Sequence, residues 1–205
     1  KATVRLLAGG QDAGKSVELS ESNGWKASFE GLAKYDASGS EIEYTVAEDA
    51  VEGYDSAITG DAHVGFTVTN TSTAKVDVPV EKKWVGPAAG EVTVSLKRGD
   101  AVVGTMKLNA EGGWKGTFSG LPKYDAQTGE QIEYNLAEEP VDGYDSAITG
   151  DALNGFTVTN TSTATVNVPV EKKWVGPAAD KATVRLLAGG QDAGKSVELS
   201  ESNGW

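Results

Sequence analysis

The 205-residue chain has no cysteine, one methionine and one histidine. Without cysteine there is no disulfide framework and no thiol chemistry. No Ser/His/Asp or Cys/His set exists, and little is left for metal or redox work, so neither an enzyme nor a cofactor or metal site is expected. Basic residues are outnumbered 18 to 30, giving a net charge of −12. The acidity is spread evenly, and the lack of a basic patch argues against nucleic acid and anionic membrane surfaces. No apolar run is long enough to cross a bilayer and no leader peptide is visible, absences that carry no information on location in a slice of a longer array. No window has a convincing helical period.

What the chain has is self-similarity. Residues 1–25 recur unchanged as residues 181–205, and a shorter period of 90 lies inside. The segment VPVEKKWVGPAA starts at Val78 and at Val168, GYDSAITGDA at Gly53 and Gly143, and GFTVTNTSTA at Gly65 and Gly155. The copies alternate A-B-A. A unit of this length exceeds the roughly 20–45 residues of solenoid repeats and matches a small domain. The chain therefore reads as beads on a string: a partial bead at 1–73, a complete bead at 74–163 and the front of a third at 164–205. The joints, TSTAKVDVPV and TSTATVNVPV, hold no glycine and no proline run, and read as stiff connections.

Glycine, with Asp, Asn and Ser, punctuates short β-type runs, the pattern of an all-β sandwich. Strands are expected near 76–85, 92–98, 102–108, 113–118, 131–138 and 154–161. Turns are expected at Gly86-Pro87, at Arg98-Gly99-Asp100, at Glu111-Gly112-Gly113 and at Gln127-Thr128-Gly129, with a loop from Asp142 to Asp151.

Residues two apart on a strand share a face. Val78, Val80, Lys82 and Trp84 then share one, as do Ile132, Tyr134, Leu136 and Glu138, and Phe156, Val158 and Asn160. A Lys, a Glu and an Asn thus stand in apolar rows, where each is a poor core residue unless paired. One reading is a buried Lys82–Glu138 salt bridge hydrogen-bonded to Asn160. The other is covalent: the Lys82 amine, its pKa depressed by burial, attacks the Asn160 amide while Glu138 shuttles protons, and ammonia leaves. A bulge would present Lys83 instead, but alternation with Trp84 favours Lys82.

Val-x-Lys-x-Trp at 80–84, Leu-Pro-Lys-Tyr at 121–124, Glu-Tyr-Asn-Leu-Ala-Glu at 133–138 and Gly-Phe-Thr-Val-Thr-Asn-Thr at 155–161 resemble, in order and spacing, the Cna protein B-type domain of Gram-positive surface adhesins and pilins. The resemblance implies tandem reversed immunoglobulin-like sandwiches and, in many members, an autocatalytic Lys–Asn or Lys–Asp isopeptide bond assisted by Glu. It carries the cross-link onto Lys82 and Asn160, with Glu138 promoting it. In the partial beads it implies Glu48, Asn70 and Lys172. It further implies an extracellular, cell wall-anchored setting with neighbouring repeats as partners. Three functions stay open: a stalk or spacer, a module contacting host matrix or a cell-surface ligand, and a pilin backbone. Near-identical copies favour the spacer, which needs number and stiffness more than a unique surface.

Three further motifs weigh little. Asp145 to Asp151 lacks the alternating acidic ligands of a calcium loop and reads as a solvated turn. Ala8 to Ser16 looks like a phosphate loop but is read as lacking the first Gly at the required spacing, no strand–helix unit surrounds it, and a hairpin turn is expected. Arg98-Gly99-Asp100 is an integrin-type tripeptide whose expected role is the hairpin itself.

Overall fold

The computed structural model describes residues 1–205 and is all-β apart from two short 3₁₀ turns. Lys1–Thr163 forms one compact unit and Ala164–Trp205 a second.

In the first unit, the opening bead contains β1 (Ala2–Ala8), β2 (Gln11–Leu19), β3 (Tyr44–Glu48), β4 (Tyr54–Asp61) and β5 (Gly65–Ser72). The next bead contains β6 (Lys75–Val85), β7 (Glu91–Arg98), β8 (Ala101–Asn109), β9 (Lys115–Pro122), β10 (Tyr134–Glu138), β11 (Tyr144–Asp151) and β12 (Gly155–Ser162). This middle bead is a complete sandwich. A sheet ordered β10-β7-β8 faces one ordered β11-β12-β6-β9. Its core interleaves Val92, Val94, Leu96 and Leu108 from the first sheet with Val78, Val80, Phe156 and Val158 from the second. The period-two alternation that predicted the strands is the one that fills this core. Along β6, Val78, Val80 and Lys82 point in while Asp77, Pro79 and Lys83 point out.

The opening bead carries the sheet β2-β1-β3, but its second sheet has only β4 and β5. Nothing lies against β5 in the place that β6 takes beside β12. Residues 26–33, the counterpart of β9, are not a strand, because the strand β9 pairs with in the middle bead has no equivalent. The joint between the two beads is two residues, Thr73 and Ala74. The Thr73 N–H donates to the Gly53 carbonyl in one bead at 2.9 Å, and the Ala74 carbonyl accepts from Lys123 N–H in the other at 2.9 Å. The second unit holds the hairpin of β13 (Lys181–Ala188) and β14 (Gln191–Ser200). Its residues 165–174, which repeat most of β6, belong to no strand.

Three expectations need correction or completion. Asp145 to Asp151 is no loop: β11 pairs with β12 along its whole length, and the Asp151 carboxylate instead accepts the N–H groups of Leu153 and Asn154 in the hairpin turn. Antiparallel pairing across that short turn overrides the local Asp, Ser and Gly content. Gly9, Gly14, Lys15 and Ser16 do stand at phosphate-loop spacing, yet they lie in the β1–β2 hairpin, with Gly9 and Gly10 at positive φ and no helix to follow. In the third motif, Gly99 and Asp100 form the β7–β8 turn, and the Arg98 guanidinium donates to Asp125, whose carboxyl is held well below its ordinary pKa by the Thr128 N–H and by Arg98.

Candidate functional site

Lys82, Glu138 and Asn160 come together in the middle bead. β6 and β12 are parallel neighbours, with Lys82 beside Val158 and Asn160 beside Trp84. Inward-facing Asn160 therefore lies one step along the strands from Lys82. Glu138 ends β10 in the opposite sheet and reaches across the core. The Lys82 Nζ stands 3.0 Å from Glu138 Oε1, and the two side chains are 0% and 1% exposed. Lys83, by contrast, is exposed and faces Glu81. A Lys and a carboxylate withdrawn from water this far are costly unless every polar atom is satisfied. Here they are not. Neither Lys82 Nζ nor Glu138 Oε1 completes a well-aligned hydrogen bond at that distance. Asn160 is fully buried, and both its Oδ1 and its Nδ2 lack a partner. Lys82 and Glu138 still attract each other as an ion pair, whereas the two Asn160 amide atoms are left uncompensated, at a cost of about 1–3 kcal/mol for each orphaned buried group.

Desolvation pulls the Lys82 pKa below its ordinary value, with Glu138 opposing the shift. The amine is also roofed by rings. Its Nζ lies 4.5 Å from the Trp84 ring centroid. Trp84 packs edge-on against Trp114 at 5.3 Å and Tyr144 at 5.0 Å. Trp114 has φ 60, a left-handed conformation that costs a bulky residue about a kcal/mol or more. That conformation follows the Glu111-Gly112-Gly113 turn, and it lets the Trp114 carbonyl accept the Lys82 backbone N–H at 2.7 Å while its ring covers Trp84.

Besides Trp114, a second residue of this site, Ser146, was not expected from the sequence. Ser146 Oγ donates to Glu138 Oε2 at 2.7 Å and so leaves Oε1 facing the amine. Ser146 sits opposite Asn160 on β11. The signal was available in principle: a hairpin closing between Asp151 and Gly155 fixes that pairing by count.

The partial beads hold the same residues apart. In the opening bead, Asn70 Nδ2 donates to Glu48 Oε1 at 2.8 Å, with no lysine between them. In the second unit, Lys172 repeats the surroundings of Lys82 without a carboxylate or an amide. Its N–H donates to the Trp205 carbonyl at 2.6 Å, and its Nζ lies 4.5 Å from the Trp174 ring, which packs edge-on against Trp205 at 5.3 Å.

Comparison with known proteins follows the same lines. The Cna protein B-type domain profile matches residues 1–71 and 78–161. A collagen adhesin of Staphylococcus aureus is 33% identical over 98% of this chain, which spans only 18% of that relative. Among solved structures, two B repeat units of the collagen binding protein of Staphylococcus aureus are 31% identical, covering all of this chain and 57% of theirs, with a TM-score of 0.46. A single B repeat unit of the same protein is 31% identical, covering 80% of this chain and 87% of its own, with a TM-score of 0.41.

Proposed function

This chain belongs to the Cna protein B-type domain family, and from that premise we propose that it is a stretch of the stalk of a wall-anchored surface protein, its beads at 74–163 and in the flanking repeats locked by Lys–Asn isopeptide bonds. The observation that carries the reading is the fully buried Asn160, with neither amide atom hydrogen-bonded, in one core with a lysine and a glutamate 3.0 Å apart.

The chemistry runs once, within the bead. A proton passes from Lys82 Nζ to Glu138, leaving a neutral amine and a carboxylic acid. The Nζ lone pair attacks Asn160 Cγ while Glu138 protonates the amide. The Cγ–Nδ2 bond breaks, ammonia departs, and Lys82 Nζ is joined to Asn160 Cγ as a secondary amide. The attacking Nζ gives up its extra proton to the Glu138 carboxylate, which is then a carboxylic acid able to donate to the new carbonyl. Water is excluded by the Trp84–Trp114–Tyr144 roof, so the amine is not stabilised as an ammonium by solvent.

Intact mass tests this directly. The chain is expected to weigh less than its sequence by one ammonia, and Lys82→Ala, Asn160→Ala or Glu138→Ala should each restore the sequence mass. A folded chain at full sequence mass would leave only an ion pair and sink the covalent reading. Ser146→Ala is expected to leave the fold intact and to slow the ammonia loss about tenfold when newly synthesised chain folds for the first time, the order of one hydrogen bond to a charged group. An unchanged rate would remove Ser146 from any positioning role.

A contact with host matrix is the second reading, favoured by the collagen-binding relatives. Immobilised collagen that retains the chain would support it, whereas collagen that fails to retain it would leave the spacer alone.

A further inference from the structure

We propose that Gly155 is the positioning residue that sets the offset of β12 against both of its neighbours, and so decides which side chains meet the Asn160 amide. Side-chain parity cannot do this. Phe156, Val158 and Asn160 alternate with Thr157, Thr159 and Thr161 along β12, and Val78, Val80 and Lys82 share the inward face of β6. A slide of β12 by two residues keeps every side chain on its face. It would nevertheless carry Asn160 about 6.6 Å along the strands from its place beside Trp84. Something other than the apolar pattern therefore holds Phe156 beside Val80 and Asn160 beside Trp84.

Gly155 carries contacts that can. It stands just before the first parallel pair, at φ 93, a conformation that residues with side chains disfavour. On one side it is pressed on Pro79: a Cβ there would come within 2.9 Å of Pro79 Cγ and 3.1 Å of the Pro79 carbonyl oxygen. Pro79 has no N–H to donate, so the β6–β12 ladder cannot run on past it. On the other side the Gly155 carbonyl oxygen lies against Gly150, where a Cβ would meet it at 2.1 Å. That approach fixes Asp151 opposite Gly155 and Ser146 opposite Asn160. At the far end of the parallel pairing, Gly86 has φ 113, and a Cβ there would come within 2.8 Å of Ser162 Cβ. The paired stretch from Val80 to Val85 thus lies between two close approaches. One is a glycine of β12 against β6, the other a glycine just past β6 against β12.

Gly155 is shared by both ladders of β12, to β6 and to β11. One ladder sets Asn160 one step along from Lys82. The other sets Ser146, the donor to Glu138, opposite Asn160. Every residue from Phe156 to Asn160 is paired on both sides, so a displacement at Gly155 is passed along the strand to the amide. It moves the amide against the amine and the carboxyl together. The offset stands on the ladders alone, and its chemical effect rests on the isopeptide reading above.

The rate of ammonia loss, followed by intact mass as newly synthesised full chain folds, tests the proposal. Gly155→Ala has to open the 2.9 Å approach to an ordinary contact, a shift of roughly half an ångström. It is expected to slow the loss about tenfold, since about 1 Å of misplacement costs about a hundredfold. Pro79→Ala, at an exposed position, removes the ring and restores the N–H, and is expected to slow it about threefold. Gly129→Ala is the control: φ is 73 there, but a Cβ meets nothing, and the rate is expected to hold. An unchanged rate in either of the first two variants, or an equal slowing in the third, overturns the proposal. Should Gly155→Ala not fold, Pro79→Ala against Gly129→Ala decides. If the unaltered chain loses no ammonia, the isopeptide reading fails and disulfide trapping decides the offset. The chain has no cysteine of its own. Glu81→Cys/Thr157→Cys therefore reads the observed pairing, and Glu81→Cys/Thr159→Cys reads the slide by two residues. The first pair closing alone in the parent chain, and losing ground to the second once Pro79→Ala is added, supports the proposal. Any other result overturns it.

Discussion

The double variant Lys82→Met/Glu138→Leu is expected to unfold its middle bead about 16–40 °C below the unaltered chain in calorimetry, from about 4–5 kcal/mol at 4–8 °C for each. The figure is the loop-closure entropy of a cross-link spanning nearly the whole bead, taken by analogy with a disulfide of the same span. The double variant is more telling than either single one. Removing one partner of a buried pair strands the other and destabilises by about 3–5 kcal/mol whether or not a bond exists. Replacing both with apolar residues of similar size removes that ambiguity. In a bead held only by an ion pair the swap is neutral or stabilising by about 1–4 kcal/mol. In a cross-linked bead it still forfeits the constraint on the unfolded chain. An unfolding temperature that stays put or rises would therefore argue for the ion pair alone.

The second large effect is mechanical. Pulled by its ends, the middle bead should not lengthen, whereas the Lys82→Met bead should release roughly 250 Å of chain in one step, at about 3.3–3.6 Å per residue. The geometry of the sheet explains why. Tension enters through the start of β6 at Lys75 and leaves through the end of β12 at Ser162. These strands are parallel neighbours, so the load shears them past each other. A bond from Lys82 to Asn160 would join them close to the exit of β12, and the load would run from β6 to β12 through covalent bonds. β7 to β11 would then carry none. A single-molecule trace in which the unaltered bead extends like the variant would remove the load-bearing role.

Much of this was legible before any coordinates. Alternation in Val78-Pro79-Val80-Glu81-Lys82-Lys83-Trp84 put Lys82 on the core row, where it lies at 3% exposure with Lys83 outside. The same rule assigned Glu138 and Asn160 to their faces. The rule fails where a segment's state depends on a distant partner. Tyr144 to Asp151 is a strand because β12 supplies a ladder for all of it. Residues 168–175 have the sequence of a buried strand and form none, because the partner that β12 provides for β6 is not beside them. Ser146 and the left-handed Trp114 escaped for a related reason: the Ser146 pairing can be counted only once Tyr144 to Asp151 is known to be a strand, and the role of Trp114 follows from what lies across the sheet.

The sequence alone determined the repeat, the all-β class, the inward faces of the strands and the three residue types on them, since period and side-chain parity are properties of the chain itself. The tertiary structure decided which of those residues share a site. It placed β6 parallel to β12, brought Glu138 across from the other sheet, turned Ser146 toward it and left the Asn160 amide without partners. It also showed that identical strand sequences at 78–85 and 168–175 take different states. A β-strand is completed by its neighbour, and a neighbour is a fact of three dimensions.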